Sequence, residues 1–150
     1  MAEKYFNRQE AERLLPTLGP QLEDARRQKQ KVDALREDLT KAASRIMLLG
    51  GSFPPYAELA RQKAESDEAT RQLQETVEKI QETGCVVKDL DVGLVDFPSL
   101  LEGKEIYLCW KLGEERIGFW HSLEEGFAGR KPLGDAGPAE PPPPRRPRIN

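Results

Sequence analysis

The chain has 150 residues, 37% hydrophobic and 33% charged, which suits one domain with a modest core and leaves much of its length wet. Its 23 basic and 26 acidic residues are mixed along the sequence and give a net charge of −3, which excludes the global field that draws a protein to nucleic acid or an anionic membrane. Two cysteines, Cys85 and Cys109, are too few and too widely spaced for a zinc knuckle, a redox motif or a secreted disulfide scaffold, so reduced thiols in a cytoplasm are expected.

The opening MAEKYFNRQE lacks the apolar core of a signal peptide, and no apolar run approaches the ~20 residues needed to span a bilayer. From about Asn7 to Thr83 the chain is rich in Ala, Leu, Glu, Gln, Arg and Lys, so residues 1–84 are expected to be helical. Asn7 can cap a short helix over RQEAERLL, with Phe6 before the cap and Ala11 or Leu14 after it available for packing. PTLGP, Pro16 to Pro20, is expected to end or kink that helix, because each proline lacks an amide donor and crowds the preceding turn. From Ala25 onward, Val32, Leu35, Leu39, Ala42, Ile46 and Leu49 recur at spacings of three and four, the mark of a narrow helix-packing seam. GGSFPPY, Gly50 to Tyr56, supplies a turn. A second helix from Ala57 carries Leu59, Ala69, Leu73, Val77 and Ile80 on one face before Gly84 closes it.

Helices of roughly 30 and 26 residues, about 45 and 40 Å long, match as an antiparallel hairpin. Lys63, Ser66 and Asp67 leave the middle of the second seam poor in large apolar groups, so a second copy of the chain is expected to cover what stays exposed. The run RRQKQK, Arg26 to Lys31, sits among Glu23, Asp24, Asp33 and Glu37 and reads as a solvated helix face. At the hairpin tip, Phe53 and Tyr56 either pack the turn onto the helix ends, the commoner outcome, or contact a partner protein.

Residues 85–133 change texture: β-branched and aromatic residues punctuated by glycine predict a small antiparallel sheet packed on or beside the helices. Lys104 to Leu112 and Glu115 to His121 form the clearest hairpin, joined at Gly113–Glu114 or by a slightly longer loop of even length. That register places Ile106, Leu108 and Trp110 with Ile117, Phe119 and His121 on one face, and Tyr107, Cys109 and Lys111 with Arg116, Gly118 and Trp120 on the other. It argues against a Cys109/His121 dyad.

His121, the only histidine, is either a hydrogen-bonded boundary residue, the commoner case, or a metal ligand. Carboxylates crowd the same region, and one imidazole with two or three acids suits a divalent metal. The candidate ligands are His121, Asp89, Asp91, Asp96 and Glu114. For an anionic or organic ligand the candidates are Arg130, Trp120 and Asp96. Arg130, in GFAGRKP, offers a planar five-donor fork, or it pins its loop down by pairing with Asp96 or Glu125. No H-E-x-x-H helix, phosphate-binding glycine loop or nucleophile elbow is present. Residues 134–150, GDAGPAEPPPPRRPRIN, are too rich in proline and too poor in apolar groups to pack, and predict a disordered or polyproline-type tail whose Arg145, Arg146 and Arg148 are either solvated, the commoner outcome, or in contact with a partner.

The run KDLDVGLVDFPSLLEGKEIYLCWKLGEERIGFWHSLEEGFAGRKP, with the opening YFNRQEAERLLP, resembles the bacterial family catalogued as domain of unknown function 2203. The resemblance rests on GLVDFP, LCW, GE, WH and GFAGR taken together, and implies a helical N-terminal part and a β-rich C-terminal part, with no activity to carry over. A hairpin on a sheet is similar in outline to Gre-type transcript-cleavage factors, but their acidic tip has no counterpart in LLGGSFPPY. The expectation is therefore an α+β protein, a long antiparallel helical hairpin followed by a small antiparallel sheet. It is expected to act as an interaction or scaffold module that forms homo-oligomers through the hairpin. The alternative is a divalent-metal-binding protein or metal-dependent hydrolase with a His/carboxylate site in the β region.

Overall fold

The computed structural model describes residues 4–49 and 55–133. Residues 50–54, including Phe53, and the tail 134–150 with its arginines lie outside the described residues.

Asn7 and Glu10 close a capping box: the Glu10 amide donates to Asn7 Oδ1 at 2.7 Å and the Asn7 amide donates to Glu10 Oε1 at 3.0 Å. The helix it starts, α1, runs Arg8–Leu49 for 42 residues, straight through the expected break at Pro16 and Pro20. Both prolines are exposed, two residues away from Leu18 and Leu22, which are fully buried. The two missing amide donors thus lie on the solvent side. Each proline costs a helix about 3 kcal/mol. Burial of Leu18 and Leu22, worth about 1.5–3 kcal/mol each, offsets that, and Ala11 and Ala25 continue the same buried stripe.

The second helix, α2 (Tyr56–Gln81, 26 residues), packs against α1 to complete the hairpin. The weak middle of its seam is closed by small groups: Ser66 and Ala69 are buried, and Arg36 of α1 donates to Thr70 Oγ1 at 3.3 Å. Gly84 ends the segment at φ +107°, a conformation that strains any side chain, and a Cβ there would also press on the Phe6 ring at 3.1 Å.

Five strands follow, β1 (Val86–Asp89), β2 (Leu94–Leu101), β3 (Lys104–Lys111), β4 (Phe119–Ser122) and β5 (Lys131–Pro132), as an antiparallel meander in chain order. The tight hairpin joins β2 to β3: Leu101 pairs with Lys104 across Glu102 and Gly103, both at positive φ (52° and 82°), as a two-residue turn with the right twist requires. Val95 and Phe97 of β2, Ile106, Leu108 and Trp110 of β3, and Trp120 of β4 form the inner face. They share one core with Phe6, Ala11, Leu18, Leu22, Ala25 and Ile80. Phe6 meets Phe97 edge-on at 5.3 Å between ring centres, and its amide donates to the Pro98 carbonyl at 2.7 Å, extending the sheet edge.

The β3–β4 register differs from the expected one. Odd-numbered residues pair with odd-numbered ones, Cys109 with Phe119 and Tyr107 with His121. Trp120 therefore joins Leu108 on the core side, while Phe119 and His121 join Tyr107 and Cys109 on the outer side. The cause lies in residues 112–118, which are a folded segment and not a tight turn. Trp110 Nε1 donates to the Glu114 carbonyl (2.8 Å), the Lys111 amide donates to Glu114 Oε1 (2.9 Å), and Ile117 is fully buried with its amide donating to Glu12 Oε2 (2.9 Å). Among the described residues no helix is long and apolar enough to cross a membrane.

Candidate functional site

The outer face of the sheet carries a buried polar cluster. Asp96 of β2 stands directly opposite Cys109 of β3. His121 of β4 lies diagonally across, two positions beyond the Cys109 partner Phe119. The three are 1%, 0% and 2% exposed. One donor atom from each, a carboxylate oxygen, Sγ and an imidazole nitrogen, falls within 4.8 Å of the others.

His121 Nε2 is 3.0 Å from Asp96 Oδ2, and Nδ1 is 2.8 Å from the Ser122 carbonyl. A carbonyl only accepts, so Nδ1 carries a proton and donates it. Nε2 and Oδ2 can then approach only by sharing one proton, either as an imidazolium facing a carboxylate or as an imidazole facing a carboxylic acid. Burial raises the Asp96 carboxyl above its ordinary range, against the opposing charges of His121 and Lys88. Asp96 Oδ1 is buried and takes no well-formed hydrogen bond among the described residues, although the Cys109 thiol lies close enough to the carboxyl to oppose the effect of burial. Burial first, and the Asp96 charge second, push the Cys109 thiol up to about 11, with Arg130 opposing.

Aromatic and cationic groups frame the cluster. The Tyr107 ring lies 5.5 Å from the His121 ring, and Lys88 Nζ sits 4.8 Å from the Tyr107 ring centre. Arg130 stacks on Phe119 at 3.7 Å and on Phe127 at 4.6 Å, ion-pairs with Glu114, and brings Nη1 to 3.8 Å from Cys109 Sγ.

Of the residues singled out from sequence, the fold brings Asp96 and His121 together and places Arg130 at the edge of their cluster. Asp89 instead accepts the Asp91 amide at 2.9 Å to shape the turn after β1. Asp91 pairs with Lys29 of α1 at 3.0 Å. Glu114 braces the 112–118 segment and Arg130. Trp120 faces the core, with Lys131 Nζ 4.7 Å from its ring centre. Arg130 pairs with neither Asp96 nor Glu125, and Glu125 takes Lys131 at 2.6 Å.

Cys109 was missed as a member, because the even-length loop put His121 on the opposite face. A signal was present: that register faced Trp120 outward beside Arg116 and His121 inward among aliphatic groups. Shifting it by one residue puts the tryptophan with the aliphatics and the histidine with an acid. Although Cys109 and His121 now share a face, they do not form a nucleophilic pair. Such a pair needs one imidazole nitrogen on the thiol and the other on an orienting group; here the Ser122 carbonyl orients Nδ1, but Nε2 faces Asp96 and not the thiol.

A helical hairpin whose inner half backs a five-stranded antiparallel meander, with a buried Asp–Cys–His cluster on the sheet's far face, defines the α+β class of this chain. Residues 4–133 match the family model described as Uncharacterized conserved protein (DUF2203), and the chain belongs to that family. No curated protein and no solved structure matches it.

Proposed function

We propose that the chain is an interaction module that self-associates through the outer half of its helical hairpin. The observation that carries this reading is the apolar stripe left uncovered there. Leu35, Leu39, Ala42, Ile46 and Leu59 are only half-buried, and Met47, Leu48 and Tyr56 are 81%, 85% and 72% exposed at the far end. A two-helix layer covers each seam from one side alone, and a second copy supplies the missing pair to make a four-helix bundle with two-fold symmetry. Charge favours the same partner. Arg61 pairs with Glu58 and Glu65, Lys63 with Asp67, Arg71 with Glu68 and Glu75, and Lys41 with Glu37, so the hairpin meets its copy with its charges already balanced. Both cysteines are free and buried, which supports a reducing compartment such as the cytoplasm.

The alternative expected from sequence, a metal-dependent hydrolase, needs a coordination position open to substrate. Exposures of 1%, 0% and 2% at Asp96, Cys109 and His121 favour holding an ion over turning over a substrate.

Light scattering across a concentration series tests self-association. The mass of a dimer is expected, reverting to that of a monomer when Met47, Leu48 and Tyr56 are all changed to Glu, exposed positions whose substitution leaves the core intact. A strict monomer at every concentration would sink the reading.

A further inference from the structure

We propose that Asp96, Cys109 and His121 form a site for one divalent transition-metal ion of the zinc class on the outer face of the sheet. The inference does not depend on self-association, since the three residues lie in the sheet and the uncovered stripe lies in the hairpin.

The donor set comes first. A thiol and an imidazole with one carboxylate match the preferences of zinc and cobalt, whereas calcium and magnesium take oxygen alone. Bond lengths of about 2.0–2.3 Å at tetrahedral angles set neighbouring donors ~3.3–3.8 Å apart. Here Nε2 and Oδ2 are 3.0 Å apart, and all three donor atoms fall within 4.8 Å of one another. Side-chain shifts of about 1 Å would therefore complete the geometry, with no movement of the strands.

A second observation points to the same place independently. Asp96 Oδ1 is buried without a well-formed hydrogen bond among the described residues, an arrangement that is unfavourable unless something is bound there. A carboxylate that binds a metal through both oxygens would use it.

The surroundings also suit an ion. The Ser122 carbonyl holds the proton on His121 Nδ1, so once the proton shared with Asp96 leaves, Nε2 offers its lone pair, as a metal-binding histidine requires. Arg130, already neutralised by Glu114, lies 3.8 Å from Cys109 Sγ and favours its thiolate. The exchange balances. One dication enters, the proton shared by Nε2 and Oδ2 leaves, and so does the thiol proton, so the buried charge is unchanged.

Cobalt titration of the full chain, stripped with chelator and kept free of competing thiols, tests the proposal. The expected result is saturation at one equivalent, with a sulfur-to-cobalt charge-transfer band and the visible bands of a tetrahedral ion, both bleached by added Zn2+. About two protons should be released per ion in unbuffered solution, as the exchange above requires. Cys109→Ser should abolish the charge-transfer band. Cys85→Ser should keep it, because Cys85 sits at the end of α2 with its thiol 3.5 Å from the Ile80 carbonyl. Asp96→Asn should weaken Zn2+ at least about tenfold, the loss typical even of groups one shell beyond the ligands. Wild-type protein that takes one equivalent of Co2+ with no thiolate band, or takes none, overturns the site without reference to any variant. A band that survives in folded Cys109→Ser does the same.

Discussion

The two halves of α1 carry the same spacing of apolar residues and reach opposite states. In the inner half, Ala11, Leu18, Leu22 and Ala25 are fully buried between the sheet and α2, and the helix tolerates two prolines there. In the outer half, Leu35, Leu39, Ala42 and Ile46 meet α2 alone and stay half-exposed, although nothing in their local sequence is less helical. Periodicity therefore fixes which face of a helix is apolar, while the number of layers packed on that face fixes how much it contributes. The inner half behaves as core. The outer half depends on intrahelical ion pairs and on whatever covers it, and pairs of that kind are weak individually.

The sharpest break of this contrast is His121→Ala in metal-free protein. It leaves the Asp96 carboxylate buried without its histidine, with only the Cys109 thiol and the charge of Lys88 to oppose burial, and breaking a buried pair from one side costs about 3–5 kcal/mol. Urea denaturation at pH 7 should show a loss of that order. The loss should shrink as pH falls toward the ordinary carboxylate range, because protonation relieves the buried charge of Asp96. A loss below about 1 kcal/mol would mean that the sheet's outer face is as forgiving as the hairpin.

The next effect compares two leucines on one helix. Leu22→Ala should cost about 2–5 kcal/mol, as for a fully buried leucine. Leu39→Ala should cost about 1 kcal/mol in dilute protein, where its half-exposed side chain has little to lose. Raising the protein concentration sharpens the comparison: if hairpins pair, the Leu39→Ala deficit grows while the Leu22→Ala deficit stays fixed. Equal costs in dilute solution would erase the distinction between the halves.

The helices and the sheet were legible because three-and-four spacing and β-branched, glycine-punctuated runs are local signals. Asn7 as a cap was legible for the same reason. The passage of α1 through Pro16 and Pro20 was not, since it depends on Leu18 and Leu22 finding a sheet far away in sequence, beyond the whole of α2. The β2–β3 turn at Glu102–Gly103 lacks the Asn-Gly or Asp-Gly signature that would have marked it. The candidate site was half legible. Asp96 and His121 announced themselves by chemistry, but His121 reached the Asp96–Cys109 pair only through the register of β4. That register is set by how Glu114 braces Trp110 and how Ile117 reaches Glu12 of α1, contacts with no local signature.

The smallest expected effect bears on the shared proton. In Asp96→Asn the amide can donate to His121 Nε2 while Nδ1 keeps its proton for Ser122, so the hydrogen bond survives and no carboxylate is buried. Metal-free variant and parent should differ by only about 1 kcal/mol near neutrality, the net scale of one hydrogen bond. The pH dependence separates them. Burial holds the folded Asp96 carboxyl above its ordinary value, so the folded state binds that proton more tightly than the unfolded chain does. The parent's stability relative to the variant is then greatest below about pH 4, the unfolded aspartate value, and falls as pH rises through the folded one. Denaturation of both proteins across that range should trace a declining difference. A difference that rises with pH would mean that the His121 charge outweighs burial and that the pair is a stabilising ion pair, which would place the sheet's outer face among the molecule's strong points.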